Sequence, residues 1–106
     1  MINTQLKKGL LDVCVLSAVS RGESYGYKIL KDLSEYIEIS ESTLYPILRR
    51  LEAGSCLTSY SVEHEGRLRR MYSITPVGRQ QLRDFISDWQ EVENIYRYIE
   101  EGMRHE

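Results

Sequence analysis

Apolar positions along this chain recur first at a helical period, then at a strand period, then at a helical period again. From Leu6 to Val19 they form two rows, with Leu6, Leu10, Val13 and Ser17 on one and Leu11, Cys14, Val15 and Ala18 on the other. A helix apolar on two sides needs two surfaces to bury against, one of them this chain's own core and the other a second subunit. Gly22, with Arg21 and Ser24, ends this helix and opens the next. Ser24 is the expected N-cap of a second helix whose buried stripe is Ile29, Leu30, Leu33 and Ile37, with Tyr27, Lys28 and Lys31 outside. Ser40 to Thr43 supply caps for a third helix, in which Leu44, Ile47, Leu48 and Leu51 repeat at i, i+3, i+4, i+7. Its opposite face carries Ser42, Thr43, Tyr45, Pro46, Arg49 and Arg50.

Gly54 is placed to cap the third helix, and the period then changes to two. Leu57 to Val62 and Arg69 to Thr75 alternate around a polar tip, Glu63-His64-Glu65-Gly66-Arg67, which predicts a β-hairpin with Tyr72 and Ile74 on the core side. Thr75-Pro76 is a helix start, an N-cap followed by a proline where no backbone donor is missed. Beyond it Leu82, Phe85, Trp89, Val92, Tyr96, Ile99 and Met103 alternate steps of three and four, with Ile86 and Ile95 widening the stripe. Residues before Pro76 cannot readily cover a helix of ~40 Å at 1.5 Å per residue, so a dimer interface is expected along it, the alternative being packing along its own domain, which would account for its N-terminal part. The division is therefore 1–75 as one domain and 76–106 as a dimerisation helix.

Composition narrows the class. The chain has 106 residues, 14 Lys+Arg and 16 Asp+Glu, a size and balance that fit one compact domain. The charge is unevenly spread: 10 basic and 9 acidic residues up to Thr75 give +1, and 4 basic and 7 acidic beyond it give −3. Cys14 and Cys56 lie far apart without a CxxC partner, and His64 and His105 stand alone, so reduced core thiols are expected and no metal site. No G-x-S-x-G, H-E-x-x-H or phosphate-binding glycine loop is present, so neither catalysis nor a cofactor is expected. The densest apolar run, Leu10 to Val19, is short of the roughly 20 residues of a membrane span and no signal-peptide pattern precedes it. A soluble cytoplasmic protein is expected, without a membrane partner.

Arg49 and Arg50 on the third helix and Arg67, Arg69 and Arg70 near the hairpin tip form the footprint expected for phosphate contact. A helix fits the major groove of double-stranded DNA, where short polar side chains near its N-terminus reach base edges and arginines hold phosphates or guanine. Ser42, Thr43, Tyr45 and Arg49 suit that role, and the tip arginine can lie along the backbone or enter the minor groove. Three helices followed by such a hairpin make a winged helix-turn-helix, mainly α with a β-hairpin wing.

Several blocks of this sequence resemble the PadR family of transcriptional regulators. They are Ser24-Tyr25-Gly26-Tyr27-Lys28-Ile29, Ser42-Thr43-Leu44-Tyr45-Pro46-Ile47-Leu48-Arg49-Arg50-Leu51-Glu52, and Gly66 to Thr75, with Gly78 after Thr75. The length resembles the short subfamily with one C-terminal helix. Two departures are Ser55, where the family has glycine, and Met71, where an aromatic or basic residue is usual.

The resemblance implies a homodimer in which the last helix meets the partner's first helix. It implies repression through a pseudo-palindromic operator, relieved by a small molecule. It adds Pro46 to the recognition residues, Tyr27 and Lys28 near the backbone and Arg67 in the wing. It further implies a cavity for a flat aromatic or cationic effector at the dimer interface, lined by Trp89 with Val13, Ser17, Ile86 and Glu93; the alternative is that Trp89 simply fills the dimer core. The alternative from another class is a winged helix that keeps the fold but binds a protein through its helix stripe, since fold alone does not fix function.

Overall fold

The computed structural model describes the backbone of residues 4–106 and the side chains of residues 9–106. Leu6, expected at the dimer interface, lies outside the described side chains. The order is α1 (Thr4–Ser20), α2 (Gly26–Leu33), α3 (Glu41–Ala53), β1 (Leu57–His64), β2 (Arg67–Ile74) and α4 (Pro76–Arg104). This is a mainly helical fold with one antiparallel hairpin and a long last helix.

The core gathers the predicted faces of the first three helices and the base of the hairpin. Val15, Leu16 and Val19 from α1 meet Ile29 and Leu33 from α2 and Leu44, Ile47, Leu48 and Leu51 from α3. Leu57 and Tyr72 close the cluster from the sheet. Truncating a core leucine to alanine costs about 2–5 kcal/mol, so these contacts fix how the helices sit against the wing. Cys56 is buried, and its thiol donates to Gln81 Oε1 at 3.0 Å; Cys14 is half-buried, and burial raises its pKa.

Three local expectations need correction. Ser24 is not the cap of α2: Tyr25 is, and its side chain makes no cap hydrogen bond. Ser24 instead pairs with β2, its N–H donating to Tyr72 O at 3.1 Å and its O accepting from Tyr72 N–H at 2.8 Å. The Ser24 carbonyl, which in a cap would accept the first helical bond, is taken by Tyr72 N–H, and the helix begins one residue later, with Tyr25 O accepting from Ile29 N–H at 2.9 Å. Secondly, α2 ends at Leu33, and Ile37 is half-buried in the segment that follows.

Thirdly, the strands run closer to the tip than their polarity suggests. His64 pairs with Arg67, and Glu65 and Gly66 form the whole turn with φ of 51° and 78°. Two successive positive φ values give the tight turn whose twist matches its strands, so exposed polar residues can still be paired. Gly54 is the C-cap of α3, as expected, at φ −85°, while Ser55 takes the left-handed conformation at φ 63°. The serine that replaces the family's glycine adopts the shape that favours glycine.

The start of α4 agrees with its sequence signal. Thr75 Oγ1 accepts from Gly78 N–H at 3.1 Å and donates to Ser55 O at 2.5 Å, joining the helix cap to the turn after α3. Gly78 is buried because the helix presses on the sheet: a Cβ there would lie 2.8 Å from Ile74 Cγ1 and closer still to Cys56 O. Further along, the apolar stripe leaves the body of the protein. Phe85 and Trp89 are half-buried and stack at 5.6 Å, but Val92, Tyr96, Ile99 and Met103 are 44%, 58%, 59% and 64% exposed.

Candidate nucleic-acid interface

Helix α3 offers one polar face. Ser40 caps it, accepting from Thr43 N–H, and shares hydrogen bonds with Ser42 Oγ at 3.0 Å and Thr43 Oγ1 at 3.1 Å. Ser42, Thr43, Tyr45, Pro46 and Arg49 are all exposed, while Leu44, Ile47, Leu48 and Leu51 hold the opposite face in the core. Pro46 lies in the second turn, on the exposed side, where its missing N–H removes a helical partner from the carbonyl of Ser42. Tyr45 is oriented by a glycine: a Cβ on Gly26 would come within 2.6 Å of the Tyr45 hydroxyl, so only Gly26 lets the phenol cross the start of α2.

The wing stands beside this face. Between them runs a groove of 670 Å³ whose walls include Tyr25, Tyr27, Tyr45, Arg67 and Arg69. Arg67 is exposed beside the turn, and Tyr27 is 68% exposed. Lys28 pairs with Asp32 at 2.8 Å one helical turn on, an exposed contact worth a few tenths of a kcal/mol that leaves the ammonium accessible.

The five clustered arginines separate into different tasks. Arg50 is tied to Asp12 of α1 at 2.5 Å, and Arg70 lies 3.4 Å from Glu52 of α3. Arg69 lies over the Tyr25 ring with its guanidinium carbon 3.9 Å from the centroid. Among the described residues Arg49 and Arg67 have no ion pair. Arg69 also keeps its charge on the ring, so the electrostatic footprint expected from five arginines rests mainly on these three.

Two carboxylates that sequence reasoning passed over hold the wing from opposite faces. Glu52 accepts from Ser59 Oγ at 2.6 Å on the side facing α3. Glu23 accepts from the Tyr60 hydroxyl and from Ser73 Oγ at 3.0 Å on the other side. The bond to Glu23 raises the Tyr60 pKa, and burial raises that of Tyr72. The available signal was the polar, apolar-free run Glu23-Ser24-Tyr25, whose odd members share a face once it is extended.

The expected effector residues do not converge within one chain. Val13 lines a shallow depression with Leu10, Phe85 and Asp88, whereas Ser17 belongs to a separate groove between α1 and α2 with Cys14 and Tyr36. Ile86 is 65% exposed and Glu93 is also exposed, three before and four after Trp89 on one side of α4. Leu10, Val13 and Leu82 are half-buried.

A model of the transcriptional regulator PadR-like family matches residues 15–84, which span α2, α3, the wing and the start of α4. The chain belongs to the PadR-like family. This PadR-like protein is 31% identical over 102 residues to the transcriptional regulator Rv3488 of Mycobacterium tuberculosis, covering 95% of this chain and 92% of that one. A solved structure of smu.1704 from Streptococcus mutans UA159 is 37% identical with a TM-score of 0.80, covering 90% of each chain. Bacillus subtilis PadR, solved in complex with operator DNA, is 24% identical with a TM-score of 0.69, covering 73% of this chain and 46% of that one; it shares the fold. This PadR-like chain is a transcriptional regulator and not an enzyme. No helix among the described residues is long and apolar enough to cross a membrane.

Proposed function

We propose that this regulator is a repressor that binds a pseudo-palindromic operator as a homodimer and is released by a small aromatic or cationic effector. The observation that carries the DNA reading is the single groove lined by both Tyr45 of α3 and Arg67 of the wing. A helix seated in a major groove would put Ser42, Thr43, Tyr45, Pro46 and Arg49 toward base edges, with Tyr27 and Lys28 near the backbone and Arg67 on phosphate or in the minor groove. The operator complex of the Bacillus subtilis relative supports the same use of the fold.

The homodimer reading rests on the uncovered end of the α4 stripe, with Leu10 and Val13 of α1 as its receiving surface. The effector reading rests on the half-buried, stacked Phe85–Trp89 pair, which offers a flat aromatic face, and on Glu93 nearby for a cation. Val13, Ser17 and Ile86 would then be supplied from both subunits.

Titration of DNA from upstream of the protein's own gene tests the reading. Arg67→Ala should weaken operator and unrelated DNA alike and lower the salt slope by ~1, whereas Tyr45→Ala should chiefly erode discrimination between them. Salt-insensitive, undiminished binding by the Arg67 variant would sink the wing contact. Quenching of Trp89 fluorescence by a planar cation, with concomitant release of DNA, is the expected effector response.

A further inference from the structure

We propose that Arg69 is a positioning residue: its stack on Tyr25 latches the wing at the angle that presents Arg67. The proposal rests on the DNA-binding reading and reassigns Arg69 from phosphate contact to orientation.

The register produces the latch. Ser24 pairs antiparallel with Tyr72, so Glu23 lies beside Ser73 and Tyr25 beside Met71. Side chains of Glu23 and Tyr25 therefore share the sheet face of Ser73, Met71 and Arg69. Glu23 grips the base of that face through Tyr60 and Ser73. Tyr25 reaches diagonally outward to Arg69, where the guanidinium carbon lies 3.9 Å from its ring centroid.

Its place on the hairpin explains its importance. The Ser24 bridge lies at Tyr72, and the hydrogen bonds to Glu23 and Glu52 come from Ser59, Tyr60, Arg70 and Ser73. Beyond Arg70 the strands run on through the pairs Val62–Arg69, Glu63–Leu68 and His64–Arg67. Arg67 is thus five residues past the bridge, ~17 Å at ~3.4 Å per residue. A ~10° tilt at the base would displace it by ~3 Å, about the length of a hydrogen bond. Among the described residues Arg69 is the outermost wing residue in such a contact, and Tyr25, the N-cap of α2, joins it to the start of that helix.

Arg69 is also poorly suited to the phosphate role. It is half-buried where Arg67 is exposed, and moving it to a phosphate would break the stack. The Tyr25 hydroxyl is not required, because the attraction is between cation and ring face.

The test compares Arg67→Ala, Arg69→Ala, Tyr25→Leu and the Arg69→Ala/Tyr25→Leu pair, binding DNA from upstream of the protein's own gene over a range of salt. Arg69→Ala and Tyr25→Leu should each lose about fivefold in affinity with an unchanged salt slope, and the pair should lose no more than either alone. In the DNA-free protein, backbone amide relaxation at Gly66 and Arg67 should report added motion in both single variants and none in Tyr25→Phe. A salt slope lowered by ~1 in Arg69→Ala, with Tyr25→Leu undisturbed, would make Arg69 a phosphate contact and overturn the latch. So would unchanged tip motion in both variants. Failure of the wild-type protein to bind any duplex would instead remove the DNA reading, and the relaxation measurements would still decide whether the latch exists.

Discussion

The two halves of α4 carry the same heptad spacing and meet opposite surroundings. In the first half Gly78 is pressed against the sheet and Leu82 and Phe85 are partly covered by α1 and the core. In the second half Val92, Tyr96, Ile99 and Met103 continue the stripe and are exposed. One periodic signal thus serves two purposes, and periodicity alone does not say where one gives way to the other. The boundary lies near Trp89, where the helix leaves a body too small to follow it.

Substitutions at matched positions can break this contrast. The largest expected effect is at Gly78, where alanine would force its Cβ against the Cys56 carbonyl and Ile74. Overpacking against backbone should outweigh the gain in helix propensity and cost about 2 kcal/mol, lowering the melting temperature by roughly 10 °C in calorimetry. In the outer half, Ile99→Asp should leave the fold intact by circular dichroism but weaken self-association at least tenfold in sedimentation equilibrium, since burying an unpaired carboxylate is costly. Equal association of this variant and wild type would remove the outer stripe from the interface.

Smaller effects sharpen the picture. Thr75→Ala removes both the cap of Gly78 N–H and the bond to Ser55 O, and should cost about 1 kcal/mol in urea unfolding. Gly102, in the outer half, has open space where Gly78 has none, so Gly102→Ala should stabilise by about 0.5–1 kcal/mol. A loss there would mean that a partner's backbone approaches as closely as the sheet approaches Gly78.

Much of this was legible in the sequence, and the exceptions share a cause. The core stripe of α3, the Thr75-Pro76 start and the course of α4 follow from spacing and capping chemistry, which are local. Ser24 misled because a serine before an apolar run is a good cap only while its backbone is free, and here β2 claims it from 48 residues away. Arg50 and Arg70 resembled DNA contacts for a similar reason. Their partners Asp12 and Glu52 are distant in sequence and come within reach only once α1, α3 and the wing are packed. The expected DNA-contact residues lie on α2, α3 and the wing, but which cations remain available depends on those long-range pairs.

The two-residue turn at Glu65-Gly66 has a consequence for how the wing can vary in length. Each strand alternates faces, so one extra rung between bridge and tip would carry Arg67 to the opposite side of the ribbon. Two extra rungs restore its face and advance it by about 7 Å. The reach of this wing is therefore quantised: insertions that keep the turn and the direction of Arg67 come as two residues in each strand, and lengths in between point the arginine away from its groove.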